Sequence, residues 1–244
     1  MKRILVIYTW PPLDPKFIHY ANVFAKSYKD HSAGIEHDVL IAIKDDKKST
    51  FPFPAKAEWM AVGNYGYDIG PFLRISREVQ GKYDAVILLG AYARILINDW
   101  LKKLSDGLDN FHLVSATGSF ESGITANNPN PSLRTTAFGI SPALLTQLWP
   151  TTEQNQSTIM LSKHECYEFE HGNQSIYRRA VQAGYRGAVV GNDKAYPENE
   201  WNLSNTFRKQ DQRNLIVADN NTDLWMNSDS NVRNYLTARA GFTA

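Results

Sequence analysis

The chain has 244 residues, enough for one large domain with a sizeable buried core. A formal net charge of +1 gives no overall electrostatic case for a nucleic-acid partner or an anionic membrane. Cys166 is the single cysteine, which excludes an internal disulfide and argues against a stapled secreted scaffold.

The first apolar run, Ile4–Tyr8, is ended by Trp10-Pro11-Pro12 and reads as a buried strand. It is too short for the apolar stretch of a signal peptide, and no segment reaches the roughly 18 apolar residues of a membrane span. The expectation is a cytoplasmic protein without a transmembrane segment, with peripheral membrane association left open. Phe17, Ala21, Phe24, Ala25 and Tyr28 recur at helical spacing, with Asp14-Pro15 as cap and first turn. His37–Ile43 reads as a second buried strand, followed by a polar loop through Pro52 and Pro54, and Glu58–Val62 as a third. Ile69–Val79 reads as a helix capped by Asp68, Ala85–Leu89 as a fourth strand, Asn98–Leu108 as a helix capped by Asn98 or Asp99, and Leu113–Ala116 as a fifth strand.

This alternation predicts an α/β fold with a mostly parallel sheet flanked by helices, whose ligand edge lies at the carboxyl ends of the strands. Tyr8-Thr9-Trp10, the loop after Ile43, Asn64–Gly70 and Gly90–Tyr92 would form that edge. Beyond residue 117 the pattern loosens. Residues 118–134 form a long Gly-, Ser-, Asn- and Pro-rich loop of the kind usually kept for function. A short strand (Phe138–Ser141), a short helix (Pro142–Leu148), a helix (Gln174–Ala183), a late strand (Arg186–Val190), a polar loop over 192–213 and a closing helix (Asn231–Ala240) follow.

Several motifs stand in a fixed order: Asn64-Tyr-Gly-Tyr-Asp-Ile-Gly70, Tyr83-Asp84 opening a strand, Asp99-Trp-Leu-Lys-Lys-Leu104, Ala116-Thr-Gly-Ser-Phe-Glu-Ser122, Pro129-Asn-Pro-Ser-Leu-Arg-Thr135 and Phe169-Glu-His-Gly172. Ala195-Tyr-Pro197, Thr206-Phe-Arg208 and Asp211–Asn220 complete the series. In this order the chain resembles inverting glycosyltransferases of the GT-A fold, family-2-like and rhamnan-synthesis-like bacterial enzymes, over about residues 60–225. The resemblance implies a GT-A-like (Rossmann-like) domain over 1–244, with a nucleotide-binding half (1–116) and a loop-rich acceptor and catalytic half (117–244). It also implies transfer of a sugar from a nucleoside-diphosphate donor to a hydroxyl of a surface polysaccharide or related glycan. The alternative is a non-catalytic glycan- or nucleotide-binding module of such a system. A Rossmann-type dehydrogenase lacks its glycine fingerprint, since Thr9-Trp-Pro-Pro12 follows the first strand.

The chain departs from metal-dependent GT-A enzymes where they carry an Asp-x-Asp pair; here Gly90-Ala91-Tyr92 stands instead. Either Asp68 or Glu121 brings an acid from elsewhere, with Mn²⁺ or Mg²⁺ left open, or arginines and helix N-terminal amides meet the diphosphate. Arg94, Arg134 and Arg208 are candidates for the second route. Asn64, Asp68 and Gly70 would hold the nucleotide, and Tyr92 and Glu121 would line the sugar site.

Inverting transfer needs a base that takes the proton of the attacking hydroxyl. The resemblance puts it at Glu170, ahead of a helix bearing Arg178 and Arg179, with Glu121 and Glu168 as lesser candidates. Read as an extended segment, Glu168 and Glu170 point to opposite sides, so one of them faces a pocket. His164, Glu165, Cys166, Glu168 and His171 lack the spacing of a zinc site, and no base is assignable for Cys166 as a nucleophile. The twelve tyrosines and six tryptophans are core packing or ring-stacking surfaces.

Overall fold

The computed structural model describes residues 2–45, 53, 57–121, 130–150 and 162–242. The predicted loop through Pro52 and Pro54, the middle of the 118–134 loop and the motif residues Ser122 and Pro129 lie outside the described residues.

The predicted strands are present as β1 (Ile4–Trp10), β2 (Asp38–Ile43), β3 (Glu58–Ala61), β4 (Ala85–Leu89) and, after a two-residue β5 (Arg94–Ile95), β6 (Leu113–Ser115). They join β9 (Phe138–Ile140), β10 (Gly187–Val190) and β11 (Ala195–Pro197) in one eight-stranded sheet of order β11-β10-β6-β9-β4-β1-β2-β3. The short β7 (Gly118–Ser119) pairs with β8 (Ser132–Leu133), and β5 pairs with β12 (Val217–Ala218). The β1, β2, β3 and β4 block is parallel, as is the β6–β10 pair. β9 runs antiparallel to both of its neighbours, β4 and β6, and β11 runs antiparallel to β10. The chain is therefore α/β with a large, mostly parallel mixed sheet flanked by helices.

Both faces of the sheet are covered, which is why β1 and β4 read as unbroken apolar runs rather than alternating ones. Ile4, Val6 and Tyr8 face α1 (Lys16–Asp30) and α3 (Trp100–Asn110), packing with Phe24, Trp100, Leu101 and Leu104. Leu5, Ile7, Val86 and Leu88 face the other way, onto α2 (Ile69–Glu78), α4 (Pro142–Leu148), α5 (Lys163–His171) and α6 (Ile176–Gln182). Phe72 of α2 meets Phe138 of β9 edge-on, with ring centroids 6.1 Å apart. The C-terminal α7 (Asn220–Asn227) and α8 (Ser230–Arg239) are joined by a hydrogen bond from Trp225 Nε1–H to Thr237 Oγ1. Among the described residues no helix is long and apolar enough to cross a membrane.

Several local expectations are corrected. Glu168 and Glu170 lie on α5, a helix, because Ser162 and Glu165 form a reciprocal capping box ahead of it. Two residues at about 100° per residue still separate the two side chains by more than half a turn. The helix predicted from Gln174 starts at Ile176 behind a Ser175 cap, and α1 starts at Lys16 with Pro15 in the cap position. Asp68 and Asp99 occupy cap positions without a side-chain capping bond. The polar stretch 192–213 contains β11 and a 3-10 helix, Glu198–Leu203, anchored by the buried Trp201, whose Nε1–H donates to the Tyr196 carbonyl. The predicted 118–134 loop contains β7 and β8.

Replacing the fully buried Phe72 by alanine is expected to cost about 3–5 kcal/mol in urea unfolding, as for other buried aromatics. Val181→Ala, at a site 47% exposed, stays within about 0.5 kcal/mol. Equal losses at the two positions would contradict the packing described.

Candidate functional site

A cavity of about 300 Å³ opens at the carboxyl edge of the parallel strands. Its floor is Gly90, Tyr92 and Ala93, just beyond β4, and one side is Tyr67, Asp68 and Ile69 at the start of α2. Because β9 runs antiparallel, the residues that precede it, Arg134, Thr135 and Thr136, reach the same edge and form a second wall. Lys163, Cys166, Tyr167 and Glu170 of α5 and Asp219, Asn220 and Asn221 at the start of α7 close it.

Gly66 and Tyr67 both have positive φ, 66° and 47°, which turns the chain sharply and delivers Asp68 to the floor. The left-handed conformation is free for glycine but costs about 1–2 kcal/mol at Tyr67, a form of strain concentrated at functional sites. The Asp68 carboxyl rests on Gly90, where an added Cβ would lie 2.8 Å from Oδ2, and it accepts the Ala91 N–H. The carbonyl of Ala91, in the next peptide unit, accepts the Tyr8 hydroxyl at 3.1 Å. Burial pushes the Asp68 carboxyl up to about 6, against the lowering pull of the nearby Lys44 ammonium and the Ala91 N–H. Lys44 directly follows β2, is 6% exposed and lies 5.4 Å from the Tyr67 ring centre. Burial lowers its own pKa, while Asp68 opposes that shift.

Glu170 sits in the opposite environment. Its Oε1 accepts the Thr135 N–H at 2.6 Å and the Thr135 hydroxyl at 3.0 Å, and Arg134 Nε is 3.6 Å away. Oε2 lies 2.9 Å from His171 Nε2. Burial alone would raise its pKa, but Arg134, His171 and the Thr135 N–H outweigh it and hold the carboxyl well below the usual range. His171 Nε2 also touches Arg134 Nη1, and its Nδ1 is 3.1 Å from Ser132 Oγ. One ring nitrogen cannot donate to Glu170 and accept from Arg134 together, so the His171 tautomer decides which contact is a hydrogen bond.

Of the residues expected from the sequence, Asp68, Tyr92, Arg134 and Glu170 line this one cavity. Asn64 is exposed and outside the lining, and Gly70 is buried in the first turn of α2, its N–H bonded to the Gly66 carbonyl. Glu121 stands behind the wall: its carboxylate is 2.9 Å from Arg239 Nε, 3.3 Å from Arg208 Nη1 and 3.7 Å from Arg134 Nη1. Arg208 is 6% exposed and outside the cavity, stacked 4.6 Å from the Phe207 ring centre. Arg134 thus bridges two carboxylates, one in the cavity and one behind it. Arg94 pairs with Asp223, while Arg178 and Arg179 bond Asn130 and the Leu148 carbonyl. Among the described residues no three His, Cys, Asp or Glu side chains are grouped closely enough to hold a metal ion. Cys166 donates weakly to the Gly66 carbonyl, and burial pushes its thiol up to about 12, which leaves it inert as a nucleophile.

Sequence reasoning missed Lys44, Lys163 and Asp219. Asp219 accepts the N–H groups of Asn221 and Thr222 as the cap of α7, and its other oxygen takes the Thr136 hydroxyl at 2.6 Å, fixing that wall. An aspartate ending the apolar run Leu215–Ala218, three residues before Thr222, is a helix-start signature that exposes it. No protein-family model matches the chain, and no curated protein matches it.

Glu170→Gln is expected to lose about 2–3 kcal/mol of stability at pH 7, the scale of a charge-assisted hydrogen-bond set. Because the folded-state pKa is depressed, this contribution is present above the unfolded value of about 4.5 and is lost as pH falls below it. Urea unfolding at pH 7 and pH 3 therefore shows the gap between wild type and variant narrowing at acid pH. A constant gap would remove the charge from the explanation.

Proposed function

We propose that this chain is a GT-A-like, nucleotide-sugar-dependent inverting glycosyltransferase that passes a sugar to a hydroxyl of a surface polysaccharide or related glycan. One observation carries the reading: Asp68, Tyr92, Arg134 and Glu170, singled out from separate stretches of sequence, converge on one cavity at the carboxyl edge of a mostly parallel sheet. The lining is suited to that chemistry. Tyr67, Tyr92 and Tyr167 offer aromatic surface to sugar or base rings, and the carboxylates offer acceptors to hydroxyls. Arg134 and Lys163 bring positive charge to a leaving diphosphate, on which negative charge grows as the glycosidic C–O bond breaks. Arg208 and Glu121 act in this reading through Arg134, by holding its guanidinium against the wall.

Thermal melting against UDP-, GDP- and dTDP-sugars, each with EDTA and with Mn²⁺ or Mg²⁺, tests the reading. A donor at 100 times its Kd adds about 2.7 kcal/mol, or about 5–10 °C for a chain of this size. Gly90→Ala, whose methyl group takes up cavity floor and pushes the Asp68 side chain into the donor space, is expected to abolish the response by obstruction while melting within a few degrees of wild type. No response to any donor would sink the transferase. A response without release of nucleoside diphosphate would make the chain a binding module.

A further inference from the structure

The cavity holds two acids with unequal surroundings. Glu170 is spoken for: two donors on Thr135, the Arg134 guanidinium and the His171 ring engage its two oxygens. A carboxylate with its lone pairs so engaged, and so strongly held as the anion, is a poor proton acceptor. Asp68 lies across the same cavity with one backbone N–H, from Ala91, on its carboxyl. The missing Cβ of Gly90 makes the recess in which it sits, and the Tyr8 bond to the carbonyl of Ala91 anchors the residue whose N–H it accepts.

We propose that Asp68 is the proton acceptor of the transfer, and that Glu170 is a positioning residue that holds Arg134 and the Thr135 wall. The inference rests on the glycosyl-transfer reading. In the step, the acceptor hydroxyl oxygen bonds to the anomeric carbon of the donor as the bond from that carbon to the diphosphate oxygen breaks. The electron pair leaves with the diphosphate, and the hydroxyl proton passes to Asp68.

The groups around Asp68 set its proton affinity. Lys44, after β2, favours the anion; Glu170 on α5 disfavours it; burial raises it most. Tyr8 on β1, Cys166 on α5 and Tyr92 after β4 also feel the Asp68 charge, and burial, the larger effect, keeps all three protonated across the neutral range. Asp68 is thereby poised near the pH at which a base works best, whereas Glu170 is far from it.

The test follows release of nucleoside diphosphate between pH 5 and pH 9 for wild type, Asp68→Asn, Glu170→Gln and Lys44→Met, using the donor that gives the largest melting shift. Far-ultraviolet circular dichroism and melting at pH 8 confirm that each variant is folded. Wild-type kcat is expected to fall on the acid side of about pH 6. Asp68→Asn loses at least about 100-fold in kcat, within the usual range for a general base, and loses that acid limb, with the donor KM changed less than about threefold. Glu170→Gln keeps the limb and raises KM. Lys44→Met moves the limb to higher pH, because a neutralised partner lets Asp68 hold its proton longer. Asp68→Asn turning over above a tenth of the wild-type rate with the limb intact overturns the assignment and leaves the transfer standing, as does loss of the limb in Glu170→Gln. Wild type releasing no nucleoside diphosphate from any donor overturns the transfer reading and this assignment with it.

Discussion

The candidate site depends on one carboxylate whose two oxygens the protein itself engages. Glu170 ties helix α5 to the segment before β9 by taking both donors of Thr135, and in the same stroke fixes the Arg134 guanidinium and the His171 ring. Two pieces of backbone distant in sequence become one wall through a single side chain. The arrangement is costly to dismantle, because removing the acid would leave Arg134, 11% exposed, with Glu121 as its one remaining carboxylate partner. Glu121 repeats the device one layer back, where a single acid gathers Arg134, Arg208 and Arg239. Arg134 is therefore held from two sides, and its position is set before any ligand arrives.

The same cavity sends two acids in opposite directions for reasons visible in their neighbours. Asp68 is enclosed with a single backbone donor and a lysine that is itself reluctant to hold charge, so desolvation dominates. Glu170 is enclosed to a similar degree, but ion pairing and hydrogen bonds dominate. Burial alone predicts neither outcome. Identical chemistry at two points less than a cavity apart is separated by the donors aimed at each.

The parts of this fold legible in the sequence are those set by local chemistry. Continuous apolar runs announced β1, β2 and β4, because a strand covered on both faces has no polar side to show. Asp68 before the run and Pro71 in its first turn announced α2. Helix α5 carries little apolar stripe, with Phe169 as its one buried apolar side chain, so periodicity overlooked it. Its Ser162-x-x-Glu165 capping box was there to be read and was the better signal. Strands β5, β7, β8 and β12 are two residues each, below any periodicity, and exist only because a partner strand is present. Within the site, Asp68, Tyr92, Arg134 and Glu170 stood out through motifs and strand ends. The Glu121 and Arg208 pairing spans 87 residues and leaves no trace in local sequence. Lys44 follows a strand with no motif around it, and only the tertiary structure buries it.

β9 has a bearing on how this molecule assembles. Among the described residues its three residues are the sole ladder between the β3-β2-β1-β4 block and the β6-β10-β11 block in the sheet order. Ile140 of β9 pairs with both Val86 and Leu113, so docking of this one short strand joins the two blocks. The longer loops are closed elsewhere, where Ile4 meets Ala85 and Leu113 meets Gly187, so the seam itself adds a modest loop-closure cost once both blocks exist. Residues 134–136, immediately upstream, reach the cavity only when it closes. Completion of the sheet and completion of the binding wall are thus one cooperative transition, and a chain caught before that transition has half a sheet and no site.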